Sequence, residues 1–251
     1  MTGPDRTRRP ARPPRVVVVT AGLSQPSSTR LLADRLAGAT LTALSAADGT
    51  TGVARSSTPA AEVAMVEVVE LREWAHDLSN QLLTGFPSPG LRDVLDRVSS
   101  ADAVIAVSPI FSASYSGLFK MFFDVLEPDA LTGTPVLIGA TGGSPRHSLA
   151  LEHALRPLFS YLRATVVPTA VYAATEDWAA PQLRDTGGVR RANGQPSELV
   201  ARIDRAGGEL AHLIRPGLPE VHHTDDEHGS EVVPFTRLLA AQRSAATQRS
   251  R

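Results

Sequence analysis

The run PVLIGATGGSPRHSLALEHALRPL, residues 135–158, contains a strand, a turn and a helix in succession. An apolar segment, Pro135–Ala140, leads into a short polar turn and then into a helical pattern of Leu151, Leu155 and Leu158. A polar turn between a buried strand and a helix N-terminus is where open α/β sheets bind flat, anionic ligands. The stretch therefore predicts an α/β fold with a ligand site at this turn.

Further apolar runs bounded by turn residues are also predicted as strands. With the segment above they are Val16–Thr20, Ala64–Leu71, Ala103–Val107, Pro135–Ala140 and Thr165–Tyr172. Most are nearly continuous rather than alternating, which is typical of parallel strands covered on both faces.

Helical patterns lie between and after these strands, each with one apolar stripe. They cover Thr29–Leu36, Leu91–Val98, Leu118–Val125, Leu151–Leu162 and Leu199–Leu213. Alternating strands and helices predict a doubly wound, five-stranded parallel sheet with helices on both faces. The expected strand order is 2-1-3-4-5. Pro157 should kink or split its helix, because its ring removes one helical hydrogen bond.

The predicted domain covers residues 16–215. Residues 1–15 are predicted to be a disordered basic leader, and residues 216–251 a largely disordered tail. Two segments within the domain, Ser45–Ala60 and Asp185–Pro196, are predicted to be surface loops because small and polar residues dominate them.

Composition excludes several classes of protein. The chain has 42% hydrophobic residues, a formal net charge of −1 and no cysteine. A nucleic-acid-binding protein would usually carry a strong basic excess, and no apolar run is long enough to span a bilayer. The absence of cysteine excludes disulfides and thiolate catalysis and suits a cytoplasmic protein. The histidines of His222–His228 lie in the predicted tail, so no functional metal site is expected.

The first strand-to-helix turn, Gly22–Arg30, has the character of an anion site. Gly22 allows a tight turn, and hydroxyl residues, among them Ser24, Ser28 and Thr29, precede or open the helix. Free N–H groups at the helix start favour a phosphate, and Arg30 could add a charge-assisted hydrogen bond. The turn lacks the glycine patterns of P-loops and dinucleotide sites, so a terminal monophosphate fits better than a pyrophosphate. An ordinary Ser/Thr helix cap is the alternative.

The second turn, Ser108–Lys120, follows the third strand. Pro109 is expected to end that strand. The backbone of Ile110 to Ser112 would then be free to bond the edge of an aromatic heterocycle, with Phe111 or Tyr115 along it. Taken alone, this is a loop with two aromatic residues.

In the third turn, Gly142 and Gly143 permit a close approach of the backbone to a ligand. Thr141 and His147 supply polar groups, although a histidine near a helix start often serves only as a surface or capping group. Ser144 and His147 do not indicate a hydrolase, because the chain has no G-x-S-x-G nucleophile motif.

Together, the three turns resemble those of NADPH-dependent FMN reductases of flavodoxin-like fold. More narrowly, they resemble the reductases that supply reduced flavin to two-component monooxygenases of the luciferase-like or alkanesulfonate type. The resemblance covers Val16–Trp178 and is most specific at Ala140–Phe159 and Ser108–Leu126. It implies FMN contacts from the phosphate turn and from the two turns around the ring. These are Ser24, Ser28, Thr29, Arg30, Pro109, Ile110, Phe111, Ser112, Tyr115, Thr141, Gly142, Gly143 and His147.

The resemblance also implies a function. Hydride would pass from NADPH or NADH to flavin N5, with no catalytic acid or base from the protein. If FMN is released to a partner, it would behave as a substrate and bind only moderately, and a flavin-dependent monooxygenase would be that partner. A homodimer or homotetramer is implied, with Tyr115 in a helix bulge at the subunit interface. Related enzymes often carry tyrosine at the position of Phe111.

Two alternatives remain open. One is a quinone, azo or chromate reductase that keeps its FMN. The other is a flavodoxin-type electron carrier, which the near-neutral charge disfavours because such carriers usually present an acidic face.

Overall fold

The structure, a computed structural model, describes residues 12–48, 64–179 and 197–214. Its strands form one twisted sheet. They are β1 (Arg15–Thr20), β2 (Met65–Glu70), β3 (Ala103–Phe111), β4 (Ser114–Tyr115), β5 (Pro135–Gly142), β6 (Thr165–Val166) and β7 (Val171–Ala174).

The sheet has the order β2-β1-β3-β5-β6, and β7 also pairs with β5. These pairs are parallel, and β4 folds back antiparallel on the end of β3. Because β6 and β7 both lie beside β5, they form an interrupted fifth strand. The predicted flavodoxin-like order 2-1-3-4-5 is thereby confirmed.

Helices connect the strands. They are α1 (Ser28–Asp48), α2 (Ala75–Thr84), α3 (Pro89–Ser99), α4 (Gly117–Asp124), α5 (Arg156–Tyr161), α6 (Thr175–Ala179) and α7 (Glu198–Ile214). Short 3₁₀ turns cover Leu71–Trp74 and Pro145–His147, and a π-helical turn covers Leu151–Leu155.

The core is divided by the sheet, as expected for strands buried on both faces. Val17 and Val19 of β1 belong to the cluster that packs α2–α5, whereas Val16 and Val18 face α1 and α7. Gly207 lets α7 approach α1 closely, since a Cβ there would lie 2.8 Å from the backbone of Ala39. Helices therefore cover both faces, as predicted.

Several elements differ from the sequence prediction. Helix α1 runs to Asp48, so the first residues of the predicted loop Ser45–Ala60 are helical, and the rest of that loop lies outside the described residues. Helix α2, which begins at Ala75, was not predicted. Strand β3 does not end at Pro109 but continues to Phe111. Proline is tolerated there because β1 ends opposite Val107, which leaves that side of β3 without a parallel neighbour.

The fifth strand was wrongly predicted as continuous. It is interrupted around Pro168, where the Arg156 guanidinium donates to the carbonyls of Val167 and Pro168, both at 3.1 Å. The helix containing Pro157 is split, as predicted, because the π-helical turn gives way to α-helix at Arg156.

Several sequence-based predictions fall on undescribed residues: 1–11 of the leader, the loop Asp185–Pro196, the tail 216–251 and the histidines at 222–228. Among the helices that the structure describes, none has the length and apolarity required to cross a bilayer. The same residues contain no cluster of three or more metal-ligating side chains.

Candidate functional site

The three predicted turns begin next to one another at one edge of the sheet. Because β1, β3 and β5 are parallel neighbours, their carboxyl ends meet at the same edge. Thr20 pairs with Val107, and two residues further along β3, Pro109 pairs with Thr141. The segments that follow these strands therefore begin next to one another.

A buried hydroxyl pair joins the first segment to the third. The Oγ1 atoms of Thr29 and Thr141 lie 2.8 Å apart, and both residues are only 3% exposed. Thr29 is in the first turn of α1, and Thr141 is near the end of β5. Their hydroxyls bond each other, so any contact of Thr29 with a phosphate would come through its backbone N–H, and the predicted ligand contacts of both threonines stay predictions.

The first turn presents free backbone donors. Ser27 caps α1 by accepting the Arg30 N–H at its Oγ, 3.2 Å away. The N–H groups of Ser28 and Thr29 precede the first helical hydrogen bonds, and neither has an acceptor among the described residues. Ser24 and Ser28 are exposed. This donor set, at the positive end of a 21-residue helix, fits a phosphate.

Arg30 is not free to act as a lone cation. Its Nε donates to Asp34 at 2.8 Å, and its Nη1 is paired with Glu70. These bonds and the two carboxylate charges raise its pKa, with the hydrogen bond to Asp34 the largest cause. Glu70 also accepts from Arg72 at 2.6 Å. The predicted contribution of Arg30 to anion binding is thus offset by neighbouring carboxylates.

The second segment is a β-hairpin rather than an open loop. Ile110 pairs with Tyr115 and Phe111 with Ser114, so the backbone from Ile110 to Phe111 is not fully free, contrary to the prediction. The two turn residues, Ser112 and Ala113, have φ values of 48° and 65°. Positive φ at both positions is the geometry of a type I′ turn, in which Gly and Asn are preferred. The turn is therefore strained at its tip.

Hydrogen bonds from buried serines hold this hairpin. The Ser108 Oγ donates to the Pro109 carbonyl at 2.9 Å and accepts the Ser116 N–H at 3.0 Å. The Ser116 Oγ in turn caps α4 by accepting the Phe119 N–H. This network fixes the hairpin and leaves the Phe111 side chain 50% exposed at its end.

Tyr115 does not occupy a helix bulge. It lies in β4, directly before α4, and its ring packs against Phe119 with centroids 5.8 Å apart. In the described part of the chain, π-helical structure is found at Leu151–Leu155 instead. The bulge inferred from the resemblance is therefore wrong at this residue.

The third segment is held by Tyr172. Its hydroxyl donates to the Ser144 carbonyl at 2.8 Å, and a Cβ on Gly142 would lie 2.1 Å from the same hydroxyl. Burial raises the pKa of this phenol, and Asp177 raises it further. Gly142 is thus required by Tyr172, whereas a Cβ on Gly143 would meet no atom within 4 Å. His147 lies exposed in the 3₁₀ turn that follows.

The structure therefore brings the predicted turns together and reassigns some of their members. Phe111, Gly143 and the donors of Ser28 and Thr29 are available at the shared edge. Sequence reasoning missed the contributions of Glu70, Arg72, Ser108, Ser116 and Tyr172. The position of Glu70 at the end of the second strand was the available signal, since that strand borders the first turn.

The arrangement suits a flat ligand with one terminal phosphate. The free donors of α1 fit the phosphate, and the exposed Phe111 and the open space at Gly143 fit an aromatic ring system. Fold and site together define a flavodoxin-like α/β protein with three ligand-type turns at one sheet edge.

The chain belongs to the NADPH-dependent FMN reductase family, whose model matches residues 14–179. An FMN reductase (NADPH) of Pseudomonas aeruginosa is 44% identical over 111 residues, which cover 44% of this chain and 60% of that protein. The NADH-dependent FMN reductase SfnF of Pseudomonas putida is 36% identical over 162 residues, covering 64% of this chain and 78% of SfnF.

A solved oxidoreductase from Corynebacterium diphtheriae is similar in structure as well. It is 44% identical, with a TM-score of 0.68, and the match covers 81% of this chain and 98% of that one.

Proposed function

We propose that the protein is an NAD(P)H-dependent FMN reductase. The single observation that carries this proposal is the Thr29–Thr141 hydroxyl pair, which joins the phosphate-type turn to the third segment at the end of β5. With Pro109 registered against Thr141, the hairpin occupies the same edge. Family membership supplies the identity of the mononucleotide.

The residues divide the work of binding between the two ends of the ligand. The N–H groups of Ser28 and Thr29, with the hydroxyls of Ser24 and Ser28, would hold the phosphate. The hairpin would position the ring system by contact with Phe111. Gly143 would allow a close backbone approach, and His147 would close the edge of the cleft.

FMN, when bound, supplies the acceptor for a hydride from the nicotinamide. The protein would align the two rings, and backbone N–H groups of the third turn would stabilise the added negative charge. No side chain needs to act as an acid or base in that step. We therefore assign binding and positioning roles and no catalytic residue.

Oxidation of NADPH and NADH, followed with and without added FMN, FAD and riboflavin, tests the proposal. A rate that requires FMN and exceeds the rate with riboflavin is expected, because riboflavin lacks the phosphate. Oxidation that is indifferent to added flavin, by a protein that contains none, would contradict it.

For the electron acceptor, we propose a flavin-dependent monooxygenase that takes reduced FMN released by this protein. The support is the resemblance at Ser108–Leu126. A protein that loses its flavin on dialysis and reduces added FMN by a sequential mechanism is expected. Flavin retained through dialysis, with ping-pong reduction of quinones or azo dyes, would favour the alternative reductase.

A further inference from the structure

A cluster of charged residues borders the first turn and is not used by the proposed reaction. Glu70 stands at its centre: Oε2 accepts from the Arg72 Nη2 at 2.6 Å, and Oε1 is paired with the Arg30 Nη1. The Glu70 and Arg72 side chains are only 18% and 19% exposed. Each carboxylate oxygen therefore holds one guanidinium in a partly desolvated setting.

The cluster lies beside the turn expected to hold the phosphate. Glu70 ends β2 directly opposite Thr20, the last residue of β1 before the turn. Arg30 is in the first turn of α1, next to the free N–H of Thr29. The Gln25 amide lies against the Arg72 guanidinium, and with its oxygen assigned to that side, as the two donors require, it accepts from Nη1 at 2.7 Å, so Arg72 contacts the turn itself.

The charges of this cluster cancel. Arg30 and Arg72 carry two positive charges, while Glu70 and Asp34 carry two negative charges. An arriving phosphate would meet the helix dipole and N–H donors, but no net side-chain charge from these four groups. Such neutrality is unexpected for two arginines at an anion site.

We propose that Glu70 neutralises Arg30 and Arg72 and thereby weakens phosphate binding, so that flavin exchanges readily. The inference rests on the proposed function, and it assigns Glu70 a positioning and affinity-setting role, without contact to the reacting atoms. Its physical basis is competition: the carboxylate occupies guanidinium donors that a phosphate would otherwise engage. Without that competition, phosphate and guanidinium could form charge-assisted hydrogen bonds.

Calorimetric titration of FMN and riboflavin into four proteins tests the inference: the wild type, Glu70→Gln, Arg72→Met and Glu67→Gln. Glu67 is the matched control, because it lies on the same strand and is paired with Arg97, but it stands opposite Val17, away from the turn. Its replacement removes the same charge without touching the cluster. Thermal unfolding of each variant establishes that it is folded.

We expect Glu70→Gln to bind FMN about tenfold more tightly, the effect of one unit of charge near a partly exposed anion. Arg72→Met should bind FMN several-fold more weakly. Riboflavin affinity should be unchanged in both variants, and Glu67→Gln should match the wild type with both ligands. The gain in Glu70→Gln should also fall as salt is raised, because screening acts on the phosphate charge.

A folded Glu70→Gln whose FMN affinity equals or falls below that of the wild type overturns the inference. If Glu70→Gln does not fold, an unchanged FMN affinity in Arg72→Met overturns it equally. Failure of the proposed function has a different signature: the wild type would show no FMN-dependent oxidation of NADPH or NADH, whatever its affinity for FMN.

Discussion

Replacing Gly142 by alanine should destabilise the protein through one identifiable contact. The new Cβ would lie 2.1 Å from the Tyr172 hydroxyl and 3.2 Å from its Cζ. Gly142 is not among the glycines with positive φ, so alanine imposes no backbone strain there. The hydroxyl cannot retreat without losing its 2.8 Å hydrogen bond to the Ser144 carbonyl.

The magnitude follows from these distances. Overpacking of this kind costs about 1–3 kcal/mol, so we expect Gly142→Ala to lower the free energy of unfolding by about 2 kcal/mol. Tyr172→Phe removes the hydrogen bond and should cost about 1 kcal/mol. In the double variant the closest clash is gone, and the remaining 3.2 Å contact of the Cβ with Cζ offsets the stabilisation of about 0.5 kcal/mol that alanine contributes by restricting the unfolded chain. The double variant should therefore lose only about 1 kcal/mol in total, well below the sum of the single effects.

Urea unfolding followed by circular dichroism measures all four corners of this cycle. The expected coupling free energy is about 2 kcal/mol, with Tyr161→Phe as a control because that tyrosine is 80% exposed. The reasoning would be refuted if Gly142→Ala lowered the free energy of unfolding equally in the wild type and in the Tyr172→Phe variant. That result would show that the hydroxyl does not set the requirement for glycine.

Three further predictions concern other contacts. Ala113→Gly should raise the free energy of unfolding by about 0.5–1 kcal/mol in urea, because glycine accepts positive φ; an unchanged midpoint would argue against strain in the hairpin. In an absorbance titration, one phenol should ionise above pH 10, and this transition should be missing in Tyr172→Phe. The free energy of unfolding should also fall as the pH rises above 10, because the phenol ionises more easily in the unfolded chain than in the folded protein. If the phenol transition above pH 10 persists in Tyr172→Phe, the assignment to Tyr172 is contradicted. Thr29→Val should lower the free energy of unfolding by about 1–3 kcal/mol, because it leaves the buried Thr141 hydroxyl without its hydrogen-bond partner. Replacing both Thr29 and Thr141 by valine should lower it by less than the sum of the two single effects, and strictly additive effects would contradict the pairing.

The strands could be predicted from sequence because burial on both faces produces unbroken apolar runs. Val16–Thr20 was located to within one residue of β1 for this reason. The fifth strand is interrupted at Pro168, which has no N–H to donate to a neighbouring strand, and the Arg156 guanidinium takes the carbonyls of Val167 and Pro168 there. The proline was the local signal for this interruption, whereas the two hydrogen bonds from Arg156 can be located only in the folded protein.

The candidate site was predictable as a set of turns, but not in its side-chain pairing. Ser112 and Ala113 lack the Asn-Gly signal of a two-residue hairpin, so the hairpin was missed. Arg30 was assigned to an anion because its partner Glu70 is 40 positions away in sequence. The positions of the turns can be predicted from local composition. The ion pairs between Arg30, Glu70 and Arg72 can be located only once the strands are assembled into the sheet.

Hydrogen–deuterium exchange with and without saturating FMN tests the central claim most directly. If one mononucleotide is held by all three segments, amide exchange should slow together in residues 22–29, 109–115 and 141–147, and less so with riboflavin in the first segment. Protection confined to one segment, or found only elsewhere in the chain, would contradict a shared site.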